Sequence, residues 1–212
     1  MVNSIKKVST VISYVVNYLF HPLLMPLYLF AILLFYSSMM MQNGMPVKFS
    51  ILKMVTFITV LTPLISIGAS ALITRLLGER NSDFYNNLLI STILVVSYAL
   101  AIYVLKDYIT LRMSLRLLLA PLIIILQFHL FRLVGVRFSV WTAAVGALAA
   151  LLYLFSFHYV GGLVQVLFSS IMVCGLVGSA RLNLRKDSLE SVSLGYLMGV
   201  AATLFSFYLP LL

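Results

Sequence analysis

Seven apolar stretches, joined by short polar segments, limit this chain to one kind of fold. They run over Val11–Met40, Ile51–Leu77, Leu88–Leu105, Leu115–Leu133, Ser139–Phe157, Leu163–Ser179 and Val192–Leu211. A helix that crosses a bilayer needs roughly 20 mostly apolar residues. Inside the bilayer every backbone N–H and C=O must find a partner within the protein, which leaves helices or closed barrels. The period-two alternation of barrel strands is absent. Hydrophobic residues make up 63% of the chain, charged residues 9%, and mean hydropathy is +1.13. A soluble domain carries roughly a quarter charged residues. The expected fold class is therefore all-α, a polytopic membrane bundle of about 6–7 transmembrane helices. No repeat or linker divides it, so residues 1–212 read as a single integral membrane domain.

The first stretch has punctuation. The start, MVNSIKKVSTVISYVVNYLF, is a basic flank followed by an apolar run through Phe35 without a small-residue cleavage site. It is predicted to be a retained span rather than a cleaved signal. His21, Pro22 and Pro26 interrupt it. Proline removes a helix hydrogen bond and bends the axis, so the prediction is an interfacial helix followed by a kinked span. His21 is a pathway candidate, or else a residue that packs at the interface. Elsewhere, Asn43-Gly44 with Pro46 and Gly161-Gly162 mark turns. Pro63 and Gly68-Ala69-Ser70 fall in the second stretch, where small residues favour close helix packing.

Several function classes drop out. The formal charge is +9, but its cations are scattered among membrane-flanking joints, with no basic domain to hold a duplex, so no nucleic acid partner is expected. The one cysteine, Cys174, lies in an apolar run and cannot form an intrachain disulfide. No His, Cys, Asp and Glu set has metal-ligand spacing, and neither metal nor cofactor is expected. The ten methionines read as gap-filling side chains.

Seven spans would place Lys6, Lys7, Arg75, Arg80, Arg132, Arg137, Arg181, Arg185 and Lys186 on one face. Lys48, Lys53, Lys106, Arg112 and Arg116 fall on the other. Nine cations against five put the first face in the cytoplasm by the positive-inside rule. If Arg80, Arg137 and Arg181 belong to a site, six against five remain, and the orientation is undecided.

The densest charged run lies between the last two stretches: Arg181, Arg185, Lys186, Asp187 and Glu190. A basic cluster at bilayer depth reads either as a solvated topological anchor or as a phosphate contact. Arg80, Arg137 and Arg181 reach the same face from three different joints. Arginine holds phosphate oxygens through its planar fork. Ser139 stands where a helix is expected to begin, and its hydroxyl and the free N–H groups there also suit an anion. Arg80, Arg137, Ser139 and Arg181 are therefore the candidate phosphate-binding residues.

These residues resemble the motifs of the type-2 phosphatidic acid phosphatase superfamily of lipid phosphate phosphatases, in a divergent bacterial branch. Ala180-Arg181-Leu182-Asn183-Leu184, followed by Gly195 and Gly199, is similar to the third motif and its Gly-x3-Gly helix. Arg137-Phe138-Ser139-Val140 with Gly146 is similar to the second. Glu79-Arg80 stands for the first, and His21-Pro22-Leu23-Leu24-Met25-Pro26 resembles the branch's first span. The resemblance implies a lipid-phosphatase-like bundle in a bacterial inner membrane. It also implies a catalytic histidine at the position of Asp187, an acid histidine at Trp141 and a carboxylate at Ser191. All three positions are changed. Asp187 is the remaining candidate nucleophile, since carboxylates do form aspartyl phosphates. The indole of Trp141 is only a hydrogen-bond donor and cannot act as the acid.

The expected function is a catalytically degenerate lipid-phosphatase-like membrane protein. It would bind a phospholipid or isoprenoid phosphate at the basic pocket, or serve as a subunit of a membrane assembly. The alternative is an active lipid phosphate phosphatase, acting on phosphatidic acid, phosphatidylglycerol phosphate or an isoprenyl pyrophosphate through a rearranged catalytic set. A transporter reading rests on His129, Gln127 and Pro121 and lacks an inverted repeat. Its partners would be membrane lipids and, in the subunit reading, another membrane protein.

Overall fold

The computed structural model describes residues 2–36, 44–65, 67–68, 82–105, 111–158 and 164–209. Every element among them is helical. Helix α1 is Val2–Leu19, and a 3-10 turn at Pro22–Leu24 leads into α2, Met25–Tyr36. Helix α3, Met45–Thr56, runs on through a widened π turn at Phe57–Leu61. Then come α4 (Ser82–Leu105), α5 (Leu111–Leu133), α6 (Val140–His158), α7 (Val164–Asn183) and α8 (Leu189–Tyr208).

Among the described residues, five helices are long and apolar enough to cross a membrane: Met45–Ile65, Leu115–Leu133, Val140–His158, Val164–Asn183 and Leu189–Tyr208. Lys7–Leu19 and Pro22–Tyr36 make a sixth span if taken together, bent by 42°. The bend falls at His21 and Pro22, where the prolines predict it. The third predicted stretch lies on α4, whose described apolar part, Thr92–Leu105, is a shorter helix. The small-residue cluster Gly68-Ala69-Ser70 and the Gly161-Gly162 turn fall largely or wholly outside the described residues.

The bundle is assembled around α6. A stripe of small residues on α8, Ser191, Gly195, Gly199 and Thr203, lies on α6. The two helices run parallel, since the Ser139 N–H donates to Ser191 O (3.0 Å), Thr203 Oγ1 to Ala147 O (3.3 Å), and Phe155 meets Phe207. A Cβ at Gly195 would run into Thr142 Oγ1 and the Ser139 carbonyl, and one at Gly199 into the Ala143 carbonyl. Without an aqueous hydrophobic effect between spans, such close packing and interhelical hydrogen bonds carry association. The glycine pair is thus a packing face within the chain. Helices α5 and α7 run antiparallel to α6: Phe131 meets Phe138, and Cys174 lies against the Val145 carbonyl.

The outside is as apolar as the inside. Phe30, Leu33, Leu34, Ile51, Val55, Leu105, Leu152 and Phe155 are buried. Yet Phe57, Leu100, Leu126, Phe168, Met172, Leu197 and Phe205 are exposed. Helix α1 makes the point most sharply. Its polar stripe, Ser9, Ser13 and Asn17, faces the protein and is largely buried, while Val8, Val11, Ile12, Val15, Tyr18 and Leu19 face outward. This inverted amphipathicity fits hydrocarbon, not water, as the surrounding medium.

Candidate functional site

Two helix ends and two helix starts build the charged end of the bundle. Helix α5 stops at a Schellman turn in which Val136 N–H donates to Phe131 O (2.9 Å) and Gly135 N–H to Arg132 O (3.1 Å), with Gly135 at φ 81°. Arg137 follows, exposed, and Phe138 and Ser139 turn inward to start α6. Helix α7 stops in the same way, with Arg185 N–H on Leu182 O (3.0 Å) and Lys186 N–H on Arg181 O (3.2 Å). Its left-handed position, φ 52°, is filled by Arg185 instead of glycine. That conformation costs an L-residue roughly 1–2 kcal/mol. Ser188 then caps α8, its Oγ accepting from Ser191 N–H at 3.2 Å. These turns set Asp187 back over the end of α7.

Arg181 is the hub. It is 7% exposed, and its charge is met on three sides. Nε donates to Asp187 Oδ2 at 2.7 Å. Nη1 donates to Asn17 Oδ1 at 3.1 Å. The guanidinium carbon lies 4.2 Å from the centre of the Trp141 ring. Trp141 is held in turn by its own indole N–H on the Asn17 carbonyl (3.3 Å) and by the edge of His21, 5.2 Å between ring centres. His21 Nδ1 accepts from Leu23 N–H at 3.3 Å, which leaves a proton on Nε2 in the neutral ring. Next along α7, Asn183 donates to both Ser9 Oγ and Ser13 Oγ at 2.8 Å. Polar side chains thus clasp α1 to the end of α7.

Beside this tier lies a cleft of about 500 Å³, lined by Gly135, Val136, Arg137, Lys186, Asp187, Ser188, Glu190, Ser191 and Leu194. Arg137 and Lys186 bring two positive charges, and Asp187 and Glu190 bring two negative ones. Because Arg181 neutralises Asp187 from behind, the cleft keeps a net positive charge. The first N–H groups of α8 also start here, and a helix start favours an anion.

Of the predicted residues, Arg137 lines the cleft, Arg181 stands behind Asp187, and Asp187 joins the two. Ser139 is 2% exposed, and its hydroxyl has no hydrogen-bond partner. Its backbone N–H bonds Ser191, a cleft residue, so it lies one layer deeper. Arg80 lies outside the described residues. His158 sits against Phe207 and Tyr208 at the opposite end of the bundle. Among the described residues no three His, Cys, Asp or Glu side chains are grouped to hold a metal ion. Asn17, Lys186 and the His21–Trp141 contact were not among the predicted site residues. The spacing Ser9, Ser13, Asn17 carried a signal, since positions four apart share a helix face.

Neither protein-family models, nor curated proteins, nor solved structures give a match to this chain.

Proposed function

We propose that this membrane protein holds the phosphate-bearing headgroup of a lipid in the cleft of Arg137 and Lys186 and does not hydrolyse it. The observation that carries the reading is the pairing of Arg181 with Asp187. The residue best placed to attack phosphorus spends its carboxylate on a buried arginine, 2.7 Å away. The acid position holds Trp141, whose ring face also serves Arg181. Two cations, Arg137 and Lys186, line the cleft together with the start of α8, the Lys186 ammonium also lying 5.5 Å from the Tyr14 ring centre, a donor set suited to phosphate oxygens. The resemblance to lipid phosphate phosphatases supports the same end of the bundle and the same class of ligand.

The second reading, an active phosphohydrolase with a rearranged set, draws on one contact. His21 touches Trp141 and so brings a protonatable ring to the polar tier. In that reading Asp187 attacks phosphorus after leaving Arg181, the P–O bond to the lipid breaks as the imidazolium form of His21 gives its proton to the departing alcohol, and water then cleaves the aspartyl phosphate, with neutral His21 taking the water's proton.

Titration of the detergent-purified protein with phosphatidic acid and with diacylglycerol separates lipid phosphate binding from mere lipid uptake. Phosphatidic acid binds more tightly than diacylglycerol, and Arg137→Ala/Lys186→Ala removes the difference, a loss of about a hundredfold for two charge-assisted contacts. Equal binding of the two lipids to the wild-type protein contradicts the reading.

A further inference from the structure

A second cavity lies on the other side of the α6 start. It has a volume of about 100 Å³ and is walled by α2, α4, α5 and α6 together with the Pro22–Leu24 turn. Its rim includes the half-buried Pro22, Pro121, Val140 and Ala144, and its floor the buried Leu29 and Leu151. Along α6 it extends from Val140 to Leu151, eleven residues or about 16 Å. It is therefore a narrow slot that follows the bundle axis. Prolines shape it from both sides. Pro22 and Pro26 lack the N–H groups that would draw the turn before α2 tight, and Pro121 leaves the carbonyl of Leu117, another wall residue, without its helical donor.

The walls say what fits. Tyr98 is the one wall side chain with a polar atom, so the slot offers water almost nothing to bond. Apolar cavities of comparable size stay dry and take apolar guests. The surrounding helices present apolar outer faces, so the medium at the rim is hydrocarbon. The slot's upper end is one residue from the polar tier on both sides: Val140 precedes Trp141, and Pro22 follows His21.

We propose that the slot takes a short stretch of one hydrocarbon chain of a membrane lipid, entering beside Pro22 and Val140, since a cavity of about 100 Å³ holds only a few methylenes. The lipid's head then lies at the charged end, which rests on the reading of the cleft as a headgroup site. The slot itself is independent of that reading, because nothing in its walls recognises a head.

Trp141 is the only tryptophan in the chain and stands beside the slot's upper end, so its fluorescence reports occupancy. The probes are a bromine-labelled fatty alcohol and the monophosphate of the same alcohol, titrated in micelles against the folded protein. Both probes quench Trp141 in the wild type. Ala144→Phe fills the slot and weakens both by about tenfold, the worth of two displaced methylenes. Leu148 is a further α6 residue of the slot wall; Leu148→Ala widens the slot and strengthens both, and it alone decides if Ala144→Phe does not fold. Quenching that neither variant alters overturns the proposal. Sensitivity of the monophosphate alone to Arg137→Ala/Lys186→Ala, with none to Ala144→Phe, sinks the slot and leaves the cleft reading standing. Sensitivity of both probes to Ala144→Phe, with no advantage for the monophosphate, keeps the slot and sinks the cleft reading.

Discussion

At the scale of single residues, Arg181 is buried among partners that meet its charge on three sides. A guanidinium this buried carries a desolvation cost that its partners must offset. Asp187, Asn17 and the Trp141 face supply those partners. Removing one member leaves an unmatched charge. Asp187→Asn is expected to destabilise the protein by about 3 kcal/mol, and Arg181→Met/Asp187→Leu to recover much of that loss. Thermal unfolding in detergent, followed by loss of helical circular dichroism, measures both. A single variant as stable as the wild type contradicts the hub assignment. The charges of this site were legible in the sequence: Arg137, Arg181 and Asp187 stand out in a chain with few charges. What they do to each other was not legible. Whether Arg181 faces a ligand or Asp187 depends on the left-handed Arg185, which returns the chain over the helix end. Arginine is a poor advertisement for a conformation that glycine usually fills.

At the scale of elements, the α6–α8 seam is the most exacting contact. Gly195→Leu places a branched side chain where Thr142 and the Ser139 carbonyl already stand, and α8 cannot stay seated. Gly175 has nothing within 4 Å of an added Cβ, so Gly175→Ala serves as the control. Gly195→Leu is expected to abolish a monodisperse peak in size-exclusion chromatography, with Gly175→Ala unchanged. Equal behaviour of the two contradicts the seam. The Gly195–Gly199 spacing announced this contact, and His21-Pro22 announced the bend between α1 and α2. The π turn at Phe57–Leu61 was not announced, although Pro63 explains it. A proline two residues beyond the turn cannot complete the regular ladder, and the helix widens before it. The role of α1 was hidden for another reason. Its buried stripe is made of serines and an asparagine, and in an apolar run such residues look like tolerated interruptions.

At the scale of the whole molecule, composition made the medium legible before any helix was placed. It did not say which faces pack. In hydrocarbon a buried leucine and a lipid-facing leucine are chemically alike, so hydropathy marks spans but not seams. The charged end gathers Lys7, Arg132, Arg137, Arg181, Arg185 and Lys186, and the positive-inside rule predicts a cytoplasmic side for it only if the site residues Arg137 and Arg181 are counted. Val134 at that end is 80% exposed, and Phe157 at the other end is 78% exposed. In intact cells, a membrane-impermeant maleimide should label Phe157→Cys and spare Val134→Cys, each in a Cys174→Ala background. The reverse pattern inverts the protein and turns the cleft to the other side of the membrane.

The most direct test follows the phosphate itself. Purified protein is incubated with phosphatidic acid labelled in its phosphate, then separated from free label and from released inorganic phosphate. The account predicts intact lipid retained by the wild type, lost from Arg137→Ala/Lys186→Ala, and no released phosphate from either. Release that requires Asp187 and stops in Asp187→Asn would contradict it and make the chain an enzyme.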